Sequence, residues 1–107
     1  MRITEQCDEY GRLRISSLEQ YDLGKDKANV LNYMKSRGFV VASSSANAFD
    51  FVEGAKDHNY CRVDYSDQKY EWTSNDIMYV EKYNMKINRD FIKHILDNTP
   101  IDKPINQ

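Results

Sequence analysis

Apolar and polar residues alternate along the middle of the chain, between Tyr60 and Ile87. The segment Cys61–Ser66 alternates strictly, and the segment Lys69–Thr73 does so as well. A period of two residues is typical of a strand that buries one face. Six of the thirteen aromatic residues lie between Tyr60 and Tyr83, and aromatic side chains favour strands. The pattern therefore predicts a sheet that is organised around this segment.

The first two strands of this sheet are predicted to form a hairpin. Asp67–Gln68 lies between them as a two-residue turn, the length that is commonest in hairpins. This turn would set Tyr65 opposite Tyr70. It would also set Val63 opposite Trp72, so that the apolar side chains share one face and the charged side chains share the other.

A third strand is predicted to start near Ile77, after a three-residue loop, and to continue to Ile87. In this register Met78 joins the core face, whereas Tyr79 and Glu81 fall on the outer face. The pattern leaves two outcomes open for the last apolar positions. Either a bulge turns them inward, or they form an apolar strip on the outer face. These positions are Tyr83, Met85 and Ile87.

The first third of the chain predicts a strand, a helix and a second strand. Arg12–Ser16 alternates and reads as a short strand, with a solvated polar face. A helix is predicted over Asp26–Arg37, with Asp26 as its N-cap and Gly38 as a left-handed C-cap. The apolar run Phe39–Ala42 follows directly and predicts a buried strand.

Two further helices are predicted beyond these elements. The segment Ala46–Ala55 favours a helix capped by one of the preceding serines, although Phe49–Val52 also fits a strand. The segment Asn88–Asn98 predicts a last helix with a clear apolar side and Asn88 as its cap. The short connections point to a single α+β domain over residues 1–99, followed by a loose tail over 100–107. We expect a largely antiparallel sheet of about four to five strands, with two to three helices packed on one face.

Charge and hydropathy exclude several classes of function. The formal net charge is −2, and the charged residues, 30% of the chain, are mixed in sign along the sequence. No basic block suggests a surface that follows nucleic-acid phosphates. No apolar stretch is long enough to span a membrane, and Met1–Glu5 lacks the apolar core of a signal peptide. These features predict a cytoplasmic protein that does not bind a membrane.

The residues that could carry chemistry are few and widely spaced. Cys7, Cys61, His58 and His94 make a nominal zinc set, but they lack the close ligand pairs of zinc sites. We therefore expect no metal and no cofactor, with Cys61 in the core, Cys7 without a role and His94 facing solvent. We also expect no catalytic residue, because the sequence has no nucleophile elbow and no phosphate-binding glycine loop.

These observations predict a small non-catalytic module that binds another protein. Tyrosine is enriched at interface hot spots, so we expect the contact residues Tyr79, Tyr83, Glu71 and Glu81 on the outer face. Stoichiometric inhibitors, immunity proteins and counter-defence proteins share this small size and lack of catalytic motifs. The composition, rich in Asn, Lys, Ile and Tyr, suits a phage or mobile-element protein.

Three other possibilities stay open at this point. An edge strand could pair with a second copy of the chain and form a homodimer. Aromatic residues on the sheet could stack on the bases of a single-stranded nucleic acid. A small nuclease-like enzyme could use His58 as a general acid or base.

Overall fold

The computed structural model describes residues 1–98 as an α+β domain. Along the chain, a 3-10 turn at Gly24–Asp26 leads into the first helix, and two long strands follow it. The elements are α1 (Lys27–Ser36), β1 (Phe39–Asp50), β2 (Ala55–Ser66), β3 (Glu71–Thr73), α2 (Ser74–Tyr83) and α3 (Arg89–Asn98). The tail predicted at 100–107 lies outside the described residues.

The three strands form one antiparallel sheet in the order β1-β2-β3. The predicted α+β class, the antiparallel sheet and the number of helices are confirmed. The predicted count of four to five strands is too high for the residues that the structure describes. Helix α2 contacts all three strands, and α1 packs against both α2 and α3. No helix among residues 1–98 combines the length and the apolar character needed to cross a membrane.

The third strand predicted from Ile77 to Ile87 is wrong, because the chain enters helix α2 at Ser74. A capping box starts this helix. The Thr73 hydroxyl accepts the Asp76 N–H at 3.2 Å, and the Asp76 carboxylate accepts the Thr73 N–H at 2.7 Å. These two bonds satisfy backbone donors that a helix start leaves free, and thereby favour the helix over the alternating strand pattern.

The predicted hairpin of β2 and β3 forms, but in a different register. Tyr65 pairs with Trp72 rather than with Tyr70, so the predicted two-residue turn is wrong and the connection has four residues. Asp67 organises this longer connection, since its carboxylate accepts the N–H groups of Lys69 and Tyr70 at 3.0 and 2.7 Å. A shift of two residues preserves the faces of paired side chains, and the stacked rings of Tyr65 and Trp72 do share one face. The predicted faces are wrong for Cys61, which is exposed, and for Thr73, which is buried.

The segment predicted as the helix Ala46–Ala55 is instead the end of β1, a tight turn and the start of β2. The alternative strand reading of Phe49–Val52 is confirmed only as far as Asp50, where β1 ends. Gly54 closes the turn with φ at +75°, a conformation that glycine adopts without steric cost. The competing helix fails because β2 pairs with β1 along most of its length and satisfies its backbone groups.

Among the predictions for the N-terminal third, the helix is confirmed, the first strand is wrong, and the second strand is confirmed but not buried. Helix α1 occupies almost the whole predicted range, although the Asp26 side chain forms no cap hydrogen bond. The strand predicted at Arg12–Ser16 is absent, and only Leu13 forms an isolated bridge, to Cys7. The run Phe39–Ala42 does start a strand, but the structure places it on the surface rather than in the core.

Gly38 is needed for close packing and not for a left-handed cap. It has no positive φ, and helix α1 ends in a right-handed conformation at Arg37. A Cβ atom on Gly38 would lie 2.7 Å from the Trp72 ring and 3.0 Å from Cβ of Tyr65. The glycine therefore lets the chain pass directly over the aromatic side chains of β2 and β3.

The core lies between α2, β3, the other two helices and the N-terminal segment. Its centre is Trp72, whose indole N–H donates to the Met34 carbonyl at 2.9 Å and whose ring lies 5.5 Å from the Phe91 ring. The N-terminal segment contributes Ile3, which is fully buried. Helix α3 matches its prediction in extent, and Asn88 just before it donates to the Arg2 carbonyl at 3.2 Å.

The packing of Gly38 predicts a measurable cost for adding one methyl group. We expect Gly38→Ala to lower the free energy of unfolding by about 1–3 kcal/mol, because the methyl group overlaps the Trp72 ring. Urea denaturation followed by tryptophan fluorescence measures this change. The control Ser36→Ala, at an exposed position, should change stability by less than about 0.5 kcal/mol. Equal stability of the two variants would contradict the close approach.

Candidate interaction surface

The two tyrosines predicted as contact residues lie on α2 and do not form an exposed face. Tyr79 is fully buried, and its hydroxyl accepts the Phe51 N–H at 3.1 Å. Tyr83 is half-buried, and its hydroxyl donates to Asp50 at 2.6 Å. The predicted exposure of Tyr79 is wrong, because a helix in place of the third strand turns this ring towards the sheet.

The two glutamates predicted beside them are exposed but belong to different regions. Glu71 lies in β3, where its backbone binds the N-terminal residues Met1 and Arg2. Glu81 lies near the end of α2, where its carboxylate accepts a hydrogen bond from Tyr60 and pairs with Lys35 at 3.0 Å. The four predicted residues therefore do not share one surface.

A buried carboxylate fastens the end of β1 to helix α2. The Asp50 side chain is 2% exposed, and its Oδ2 accepts hydrogen bonds from Tyr83 at 2.6 Å and from Lys82 at 2.9 Å. Its Oδ1 accepts the N–H groups of Val52 and Glu53 in the turn at 2.9 and 3.0 Å. Burial pushes the pKa of Asp50 upward, but these hydrogen bonds outweigh it and hold the pKa below its usual value.

The four residues of the nominal zinc set are not brought together. Cys7 is buried and Cys61 is exposed, which reverses the predicted placement of the two thiols. His58 is exposed on β2, whereas His94 on α3 bonds to Asp67 at 2.8 Å. Residues 1–98 contain no group of three or more His, Cys, Asp or Glu side chains placed to hold a metal ion.

His94 belongs to a polar cluster that joins three elements, so its predicted solvent-facing position is wrong. Asp67 Oδ2 accepts the Tyr33 hydroxyl at 2.6 Å and lies 2.8 Å from His94 Nε2. Burial raises the pKa of Tyr33, and the Asp67 charge raises it further, so the phenol keeps its proton and donates. The side chains of His94 and Asp67 are only 18% and 6% exposed. The cluster therefore fastens α1 and α3 to the β2–β3 connection.

The first part of β1 is an exposed surface, which we call the β1 overhang and define as Phe39–Ala46. All of its residues are exposed. Its three large apolar residues, Phe39, Val40 and Val41, are 62%, 61% and 67% exposed. Apolar side chains clustered at this exposure on a strand are typical of a contact surface.

The β1 overhang also presents a free backbone edge. Strand β1 is the outer strand of the sheet, so one row of its N–H and C=O groups has no partner strand among the described residues. The segment 39–49 contains no charged residue, no proline and no glycine. Proteins protect an edge from pairing with charges, prolines or bulges, and this edge has no charge or proline, although its pairing with β2 is irregular between Val40 and Ala42.

The position of α2 explains why this part of β1 is uncovered. The helix covers the far end of the strand, where Ala48 and Asp50 are buried. Pairing with β2 is irregular between Val40 and Ala42 and again from Ser44 to Ala48, so a second bulge lies where the covered and uncovered parts meet. The β1 overhang thus extends beyond the helical layer.

Comparison of the chain with family models, with curated proteins and with solved structures found no match. The functional assignment therefore depends on the geometry of this chain.

Sequence reasoning missed the β1 overhang because an apolar run after a helix is more often buried than exposed. One signal was present. The run Phe39–Val41 continues into Ser43–Ser45, and no large apolar side chain follows it before Phe49. A strand with so few large side chains buries little apolar area on either face.

Asp50 with its partners Lys82 and Tyr83, which we call the Asp50 cluster, predicts a loss of stability that depends on pH. Asp50→Asn removes the charge that Lys82 and Tyr83 contact, and we expect it to lower the free energy of unfolding at pH 7 by about 1.5–3 kcal/mol. Because the folded pKa of Asp50 is lowered, its stabilisation is complete above the unfolded pKa and is lost as pH falls through the folded pKa. The difference from the native chain should therefore shrink below about pH 4.

Urea denaturation at a series of pH values measures this effect. Asp97→Asn serves as the control, because Asp97 pairs with Lys93 on the surface, with side chains 60% and 75% exposed. Such an exposed pair contributes little to stability. If the stability difference between Asp50→Asn and the native chain stays constant between pH 7 and pH 3, the charge of Asp50 does not stabilise the contact between β1 and α2.

The burial of Tyr79 predicts a structural role for this ring. Tyr79→Ala should lower the free energy of unfolding by about 3–5 kcal/mol, as expected for the removal of a fully buried aromatic side chain. Tyr21→Ala, at a side chain 54% exposed, is the matched control and should be nearly neutral. Circular dichroism melts of both variants test the prediction. If Tyr79→Ala melts like the native chain, the ring is on the surface and the original contact face is restored.

Proposed function

We propose that the protein is a non-catalytic module that binds another protein and blocks it. In this role it is a stoichiometric inhibitor, of the immunity or counter-defence type found in phages and mobile elements. The observation that carries the proposal is the β1 overhang, an exposed, uncharged strand with a free backbone edge. This surface replaces Tyr79 and Tyr83 as the proposed contact site.

The free edge supports binding by strand addition. An extended segment of the partner can pair with β1, so that its backbone groups replace water as hydrogen-bond partners. The large side chains of Phe39, Val40 and Val41 then give apolar contact on the faces of the extended sheet. Backbone pairing supplies affinity, and these side chains supply specificity.

The two alternatives receive less support from the structure. The sheet residues Tyr65 and Trp72 stack on each other, and Trp72 is 1% exposed, so these rings are not free to stack on bases. His58 is exposed on β2 and forms no side-chain hydrogen bond within residues 1–98 that would orient it for acid–base chemistry. Neither alternative uses the β1 overhang.

The proposal is tested by placing one charge on the β1 overhang. We expect Val41→Lys to abolish copurification of a stoichiometric partner from the native host, because an unpaired lysine opposes strand addition. Folding should be unchanged, since the side chain at this position is 67% exposed. Leu96→Lys, at an exposed apolar position on α3 (40% exposed), is the control and should retain the partner.

Quantitative mass spectrometry of tagged protein, with and without nuclease treatment, gives the stoichiometry. A partner retained equally by both variants would exclude the β1 overhang as the contact site. Partners lost on nuclease treatment alone would favour nucleic-acid binding instead.

A further inference from the structure

We infer that a second copy of this chain occupies the β1 overhang when no other partner is bound. The two copies pair antiparallel through their β1 edges and form one continuous six-stranded sheet across a two-fold axis. This inference rests on the proposed function in one respect, since both use the same surface. The dimer is then the resting form, from which a partner's strand displaces the second copy.

The lack of charge on β1 favours self-association. A symmetric pairing brings every residue of the strand close to residues of an identical strand, so any charged residue near the axis would oppose its own copy. The segment 39–49 contains no charged residue, so this repulsion is absent. An edge of this kind is compatible with a second copy, whereas most edge strands carry charges that prevent such pairing.

The distribution of large and small side chains also fits an antiparallel copy of the same strand. The large residues occupy one end of the β1 overhang, and the other end holds only serine and alanine. Antiparallel pairing places opposite ends of the two strands side by side, so each large residue faces a small one. Parallel pairing would instead set the large residues against one another.

The symmetry limits the possible registers. In a two-fold antiparallel pair, one residue lies opposite its own copy, and the midpoint of the β1 overhang places this residue at Ala42 or Ser43. Both registers centre the pairing on the regular run Ala42–Ser44, with the large-residue end of one strand beside the serine and alanine end of the other.

The interface consists mainly of one pair of strands, so we expect a dimer in the micromolar range of dissociation constants. Sedimentation velocity of the full chain over a concentration series measures this equilibrium. The native chain and Leu96→Lys should change from monomer to dimer as concentration rises. Val41→Lys should stay monomeric over the same concentrations, which corresponds to a dimer dissociation constant at least tenfold larger than that of the native chain.

A cysteine scan tests the register and the symmetry directly. Ala42→Cys, Ser43→Cys and Ser44→Cys are each made together with Cys61→Ser, which removes the exposed native thiol. A residue that faces its own copy has a Cα–Cα distance of about 4.5–5.5 Å, which a disulfide can bridge. We expect rapid oxidation to a covalent dimer at Ala42 or Ser43, and slow oxidation for the control Leu96→Cys.

The outcomes separate this inference from the proposed function. A native chain that remains monomeric, with no scanned cysteine crosslinking faster than the control, overturns the dimer. If Val41→Lys then still loses a copurifying partner, the proposed function stands alone. A dimer that persists in Val41→Lys also overturns the inference, because it must form through another surface. If Val41→Lys loses the dimer and the native chain captures no other protein, the dimer is supported and the proposed inhibitor role is excluded.

Discussion

The buried carboxylate of Asp76 is the constraint on which the rest of the fold depends. It lies in the first turn of α2 and has no exposed surface. It accepts hydrogen bonds from the Thr73 N–H at 2.7 Å and from the Arg2 guanidinium at 2.9 Å. Burial raises the pKa of Asp76, and the neighbouring Arg2 and Thr73 oppose that rise. One side chain thus starts the central helix, ends β3 and ties the N-terminus to both. Removing one partner would leave a polar group without compensation in the core.

The placement of α2 decides which surfaces remain for function. Because the helix begins at Ser74, Tyr79 turns inward against the sheet and bonds to the turn after β1. The same helix meets β1 near Asp50 and leaves the other end of the strand uncovered. The exposed apolar strand and the buried tyrosine are therefore two consequences of one helix position. The Asp50 cluster then holds β1 against α2 while the β1 overhang extends away from it.

Local patterns were sufficient where one element determined its own structure. The apolar periodicity of α1 and α3 predicted both helices, and the alternation in Cys61–Ser66 predicted that this segment is a strand. They were insufficient where distant contacts decided the outcome. The run Ile77–Val80 is apolar at four consecutive positions, which fits a strand or a buried helix equally. The Thr73–Asp76 spacing was the available sign of a helix start. The serine run after Val41 was the one sign that this strand buries little, but no local pattern shows how far a helical layer extends over a strand.

Amide hydrogen exchange of the β1 overhang tests most directly whether this edge is a surface used for binding. At low protein concentration, the outward-facing amides of Phe39–Ala46 should exchange rapidly, while the amides of Asp64–Ser66, which lie between β1 and β3, stay protected by pairing on both sides. Raising the concentration, or adding a captured partner, should protect the outward-facing amides of β1 alone. Outward-facing amides that are fully protected in the dilute monomer would show that the edge is already covered within one chain, and would contradict the account.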